Sequence, residues 1–243
     1  MSEKRTLLGV LTPSSNTALE PLTSALVAGI PNVSAHFARF KVTEISLAGH
    51  ALAQFDYSHI LEAARLLADA KVDIIGWSGT AGGWLGFEQD KELCRRIEDA
   101  TGIKATTSVL ALNEAMERLG VGSFGLVSPY VKEIQDRIVQ NYLQSPYPCV
   151  AESGLNISTN FDFSLVDEAT LTEQVRQVVQ SGPDAICTYC TNLRAAHLVE
   201  RWENEIGIPV LDTTTVVVWK MLRLAGVDTA GIRGWGRLFQ ETN

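Results

Sequence analysis

Cysteine is the side chain here best suited to nucleophilic or proton-transfer work. The chain has four: Cys94, Cys149, Cys187 and Cys190. Cys190 stands where a strand-like run, Asp184-Ala185-Ile186-Cys187-Thr188-Tyr189, gives way to Thr191 and Asn192 at an expected helix start. A thiol there meets free backbone N–H groups and the positive end of a helix, both of which lower its pKa. On this chemistry a catalytic and a structural Cys190 remain equally open. Cys187 and Cys190 also form a C-x-x-C spacing, as in a redox dithiol or half of a zinc site. Cys94 and Cys149 stand alone, however, and His36, His50, His59 and His197 are scattered, so no second ligand pair completes a metal site. Cys187, inside the apolar run, reads as a small buried hydrophobe.

Three polar clusters follow other apolar runs. Pro13-Ser14-Ser15-Asn16-Thr17 offers hydroxyls and an amide that can grip a carboxylate, cap the next helix, or both. Ser78-Gly79-Thr80-Ala81-Gly82-Gly83 is glycine-rich but is not G-x-G-x-x-G, and no Gly-Lys-Ser/Thr follows, so a small-anion pocket of backbone N–H groups fits better than a nucleotide loop. Ser128-Pro129-Tyr130 brings a phenol to a strand end, to face a ligand or to pack. Trp77, Trp84, Phe87 and Phe124 read as core, Trp84 being the one suited to line a pocket.

The elements that must position these residues follow from periodicity. Apolar runs at 7–11, 34–40, 72–77, 104–106, 123–127, 149–152, 184–189 and 209–211 suit strands buried on both faces. Helical spacing occupies 57–70, 88–100, 107–119, 131–144, 169–181, 193–206 and 214–225; Ile60, Ala63, Ala64, Leu67 and Ala68, for example, share one face. Strand alternating with helix implies an α/β fold with parallel sheets. Residues 71–79 (KVDIIGWSG) and 182–190 (GPDAICTYC) echo each other: a helix end, an Asp, a buried strand, a small polar turn. Two such units facing each other would form a cleft at carboxyl strand ends, lined by Gly79-Thr80 on one side and Cys190-Thr191 on the other.

Composition bounds the partners. At about 150 residues per domain, 243 residues make one large or two small domains. The 46% hydrophobic and 20% charged content is globular, not disordered or fibrous. Twenty Lys+Arg against 28 Asp+Glu leave a net charge of −8, which repels phosphate backbones and argues against nucleic acid as a partner. The start, Met1-Ser2-Glu3-Lys4-Arg5, leads into an apolar run too short for a signal sequence and broken by Pro13, and no apolar stretch approaches the ~18 residues of a membrane span. The expectation is a soluble cytoplasmic protein with reduced thiols, since four cysteines are too few for a disulfide scaffold.

Taken together, the motifs resemble the aspartate/glutamate racemase superfamily, in its branch of maleate cis-trans isomerases and arylmalonate decarboxylases. TPSSNT at 12–17 resembles the isomerase N-terminal motif. LALNEAMERLGVGSFGLVSPYVKEIQDRI at 110–138 is similar to the central region of both enzymes, and TYCTNLRAAHLVERWENEIGIPVLDTTT at 188–215 to the second catalytic loop. RGWGRLF at 233–239 resembles the decarboxylase C-terminus. The resemblance implies two pseudo-symmetric lobes, each a short parallel sheet flanked by helices, with the active site in the cleft between them. One lobe would comprise residues 1–112 and 213–243 and the other 113–212.

Members usually carry one cysteine per lobe. By resemblance Cys190 is the second, and Gly79 stands where the first would be. Arylmalonate decarboxylases share that glycine-threonine pair, here Gly79-Thr80. The resemblance therefore implies a cofactor-independent decarboxylase of a substituted malonate or related small dicarboxylate. Cys190 would protonate an enediolate held by Thr80, Tyr130 and the 190–191 backbone. Asn16 and Asn160 match carboxylate-binding asparagines of the isomerases, with Ser14, Ser15, Thr191 and Asn192 beside them as substrate-binding candidates. Ala81 replaces an oxyanion serine of the decarboxylases, so the sequence is a hybrid. A maleate isomerase or racemase is the alternative, and a dicarboxylate-binding protein without turnover a third reading. A small dicarboxylate is the expected partner, no cofactor or metal is expected, and a homo-oligomer is compatible with all three.

Overall fold

A computed structural model describes residues 5–241. Expectations touching residues 1–4, and the side chain of His50, lie outside the described residues. The chain runs β1 (Thr6–Pro13), α1 (Leu19–Val27), β2 (Val33–Phe40), α2 (Gly49–Leu52), α3 (Tyr57–Asp69), β3 (Ile74–Trp77), α4 (Gly82–Leu85), α5 (Phe87–Thr101), β4 (Ala105–Thr107) and α6 (Ser108–Arg118). It continues with β5 (Phe124–Tyr130), α7 (Lys132–Tyr142), β6 (Cys149–Ile157), α8 (Glu168–Val179), β7 (Ala185–Thr188), α9 (Val199–Ile206), β8 (Val210–Asp212), α10 (Thr213–Leu224) and α11 (Leu238–Glu241).

The strands form two four-stranded sheets of the same design. The first has the order β2-β1-β3-β4 and the second β6-β5-β7-β8, with every neighbour parallel. Each begins in the middle and crosses over outward, as right-handed strand–helix–strand units do. The equivalence explains the sequence echo: β3 and β7 hold the same place in their sheets. Both strands are buried throughout (IIGW and AICT), which suits sheets covered by helices on both faces.

Short buried polar caps start the helices that leave the outer strands. Thr107 Oγ1 accepts from the Leu110 N–H to begin α6, and Asp212 accepts from the Thr214 and Thr215 N–H groups to begin α10. Helix α10 is buried over nearly its whole length, which fits its apolar run Val216-Val217-Val218-Trp219. It packs on α6, α1, β3 and β8. A Cβ at Gly76 would fall 2.3 Å from Met221 Sδ, so the glycine lets α10 lie directly on β3.

The structure departs from the periodicity reading in the short helices α2, α4 and α11, which the spacing does not predict, in β6, which runs on to Ile157, and at two places nearer the site. Helix α1 was not among the expected helices, although Leu19, Thr23, Leu26 and Val27 form its buried face; the segment is short and carries Pro21 in its first turn. The expected helix over 193–206 begins only at Val199, preceded by turns and a 3-10 turn at Ala196–Leu198.

Candidate active site

The carboxyl ends of β1, β3, β5 and β7 converge on one small, partly open cavity between the two sheets. Pro13, Val42, Ile45, Phe55, Trp77, Gly79, Thr80, Ala81 and Trp84 come from the first sheet and its loops, and Tyr130, Asn160, Cys190 and Thr191 from the second. No charged side chain lines it. The cavity is about 20 Å³, room for about one water.

Thr80, Tyr130 and Cys190 form its polar side. Thr80 Oγ1 and the Tyr130 hydroxyl lie 2.7 Å apart, joining the two lobes. The Tyr130 ring is clamped edge-on between Trp84, centroids 5.3 Å apart, and Phe163, 5.5 Å apart, so its hydroxyl is held rigidly. Burial pushes the Cys190 thiol up to about 12, against the lowering effect of the Tyr130 hydroxyl and the Asn192 and Leu193 backbone N–H groups. The expected depression of this pKa is therefore corrected. The N–H groups are present, but residues 191–198 form turns rather than a helix start, and desolvation outweighs them. Burial likewise raises Tyr130 well above the usual phenol value. The resting site is thus a neutral thiol beside neutral hydroxyls.

Ser14, Ser15, Asn16 and Asn192 stand one layer behind the cavity. Ser15 Oγ donates to the Val42 carbonyl at 2.6 Å, and Ser14 Oγ accepts from the Val42 N–H at 3.2 Å, so this pair anchors the segment that carries Val42 and Ile45. The Asn16 carbonyl accepts from the Ala18 and Leu19 N–H groups, both at 3.0 Å, at the start of α1, and its amide donates to Thr191 Oγ1 at 3.2 Å. Capping and a cleft contact thus coexist in one side chain. The Asn192 carbonyl accepts from the Thr17 and Ala18 N–H groups, while its amide donates to the Asn160 carbonyl. Asn160, in the wall, donates to Ser15 Oγ at 2.7 Å, and Thr191 Oγ1 donates to the Ser78 carbonyl at 3.1 Å. These bonds cross between the lobes and fix the cleft walls against each other.

Several wall residues escaped the sequence reading. Trp77 reads as core in the sequence, yet it lines the cavity, its indole packed 4.9 Å from the Phe40 ring. A Cβ built on Gly79 would lie 2.1 Å from Trp77 Cζ2 and 2.4 Å from Cε2. The signal was present: in extended chain, residues two apart share a face, so a large ring two before a glycine has room to fold over it. Val42, Ile45 and Phe55 lie in and after an irregular segment where no periodicity points inward. Trp84 is 5% exposed and its Nε1 has no hydrogen-bond partner.

Of the remaining thiols, Cys94 and Cys187 are buried and Cys149 is half-buried against the core. All four cysteines are free; Cys187 is buried in β7, and burial raises Cys94 to about 12 and Cys149 to about 11. Among the described residues, no group of three or more His, Cys, Asp or Glu is placed to hold a metal ion, and no helix is long and apolar enough to cross a membrane.

Known proteins share this fold. The profile of the arylmalonate decarboxylase family matches residues 8–239. An arylmalonate decarboxylase from Bordetella bronchiseptica is 25% identical over 186 residues, 75% of this chain and 78% of that one. A maleate isomerase from Alcaligenes faecalis is 24% identical over 233 residues, 91% and 92% of the two chains. Among solved structures, the maleate isomerase Iso from Pseudomonas putida S16 superimposes with a TM-score of 0.91 at 22% identity, covering 99% of this chain and 100% of that one. A match over almost the whole length, carried by a two-sheet architecture, shows that the chain belongs to the arylmalonate decarboxylase family, within the branch that includes the maleate isomerases.

Proposed function

We propose that the protein is a cofactor-independent decarboxylase of a substituted malonate or a related small dicarboxylate, with Cys190 as proton donor. The observation that carries this reading is the asymmetry of the cleft. It has a protonated thiol on one side, Gly79 beneath an indole on the other, and the Thr80–Tyr130 hydroxyl pair between them.

One carboxylate of the diacid would lie against Val42, Ile45 and Phe55. An anion deprived of water by apolar walls favours its own loss as neutral CO2. The Cα–carboxylate bond breaks, and its electron pair passes into the remaining carboxylate, which becomes an enediolate. Thr80, Tyr130 and the 190–191 backbone are the donors that receive this developing charge; such donors are typically worth 10²–10³-fold in rate. Cys190 Sγ–H then delivers its proton to Cα. The resulting thiolate is held by the Tyr130 hydroxyl and the Asn192 and Leu193 N–H groups until water reprotonates it. The net reaction consumes one proton and releases one CO2. Trp84 Nε1–H, unpartnered in the wall, suits an acceptor atom on the substituent. Even the smallest malonate is several waters in size, so the cleft widens to admit it.

Asn160 in the cavity wall and Asn16 behind it, with the length of the match to maleate isomerases, favour a second reading, isomerisation of a maleate-type diacid. It lacks a thiol at position 79 to add to the alkene. The test is to assay CO2 release from a panel of malonates and conversion of maleate to fumarate side by side. Decarboxylation that is lost in Cys190→Ala is the expected result. Fumarate formation with no CO2 from any malonate would replace this reading with the second.

A further inference from the structure

We infer that Trp77 is the specificity-determining residue that restricts protonation to the Cys190 face, by filling with its indole the volume where a second acid would stand; this rests on the decarboxylase reading above. Three observations combine. Trp77 and Cys190 line the same cavity from different sheets, Trp77 at the end of β3 and Cys190 just beyond β7. A Cβ at Gly79 would collide with three ring atoms of Trp77, at 2.1, 2.4 and 2.5 Å, far inside van der Waals contact. The indole cannot easily yield: Trp77 is 2% exposed, it packs on Phe40, and its backbone pairs with Leu11 on one side and Thr107 on the other.

Glycine at 79 and tryptophan at 77 therefore act as a unit. Glycine leaves room for the ring, and the ring excludes both a side-chain acid and water from that face. An enediolate in the cleft can then receive its proton only from Cys190. The pair also predicts that inserting a thiol at 79 alone does not create a second acid, because the site it would need is occupied. Leucine at 77 ends at its Cδ atoms and lacks the Cε2, Cζ2 and Cη2 atoms that a Cβ at 79 would meet, so it frees the volume while keeping an apolar side chain in the strand.

The experiment compares wild type, Gly79→Cys, Trp77→Leu and the Trp77→Leu/Gly79→Cys double variant. Thermal unfolding is the readout that needs no activity. Gly79→Cys should lower Tm by about 5 °C or more, as overpacking does, and the double variant should lose clearly less than the two single losses added together. A Gly79→Cys protein as stable as wild type, or strictly additive losses, overturns the occupancy claim. The second readout is the enantiomer ratio of the product from a 2,2-disubstituted malonate, whose Cα becomes a stereocentre. Wild type and Gly79→Cys should give one enantiomer in at least ~20-fold excess, and the double variant should approach equal amounts as the second thiol reaches the other face. Racemic product from Gly79→Cys alone, or an undiminished excess from the double variant, overturns the specificity claim. If wild type decarboxylates no malonate, the stereochemical claim falls with the decarboxylase reading, while the Tm coupling still decides whether Trp77 holds that volume.

Discussion

Two influences act on the Cys190 thiol in opposite directions. Hydrogen bonds from Tyr130 and from two backbone N–H groups favour the thiolate, while complete burial favours the thiol and prevails, at about 12. A nucleophilic cysteine needs the first balance and a proton donor needs the second. Native protein at pH 8 should therefore resist alkylation by iodoacetamide at Cys190, and the thiols should react readily only after unfolding; a single fast-reacting cysteine, located at position 190 by peptide mapping, would mean a standing thiolate. Tyr130→Phe keeps the ring between Trp84 and Phe163 but removes the hydroxyl bonded to Thr80. It should lower kcat on the responsive diacid by roughly 10²-fold with little change in Tm, the size expected for one oxyanion donor. An unchanged kcat would remove Tyr130 from the charge-stabilising set.

At the scale of elements, the loop after β3 is held in place by a buried carboxyl. Asp90 on α5 is 3% exposed, accepts from Thr107 Oγ1 at the start of α6, and lies against Gly82, where a Cβ would meet its carboxyl at 2.3 Å. Burial pushes Asp90 up to about 7. Because the fold binds this proton more tightly than the unfolded chain does, the fold is favoured at low pH. That advantage is lost as pH rises from about 4 to about 7 and levels off above it. Asp90→Asn keeps an acceptor for Thr107 without the charge. It should stabilise the protein at pH 9 by on the order of 3 kcal/mol, and by nothing measurable at pH 4, in chemical denaturation. Equal destabilisation at both pH values would show that the carboxyl itself is required. The elements were largely legible in advance, because continuous apolar runs bounded by Gly, Pro or Asp mark buried parallel strands, and all eight were found near their places. Helix α1 and the turns after Cys190 were not: Pro21 interrupts the pattern of the first, and the apolar residues after Cys190 (Leu193, Ala195, Ala196 and Leu198) are buried without forming one helix.

At the scale of the whole molecule, the repeated strand order makes one cleft from two similar halves, and the proposed chemistry follows from how the halves differ. The thiol at 190, the glycine at 79 and the polar loops at strand ends were legible as residues. The roles of Ser14 as an anchor of the Val42 segment, and of Ser15 and Asn192 as anchors between the lobes, were not, because their partners lie 27 to 175 positions away in the chain. The Trp77 indole over Gly79 was legible only as a spacing whose meaning needed the backbone path. If proton delivery after loss of CO2 is one-sided, NMR of a 2,2-disubstituted malonate and maleate incubated together with the enzyme in deuterated water should show CO2 release, one deuteron at Cα in a single enantiomer, no fumarate, and loss of the whole signal in Cys190→Ala. Fumarate from maleate with the malonate untouched, or undiminished decarboxylation in Cys190→Ala, would contradict it.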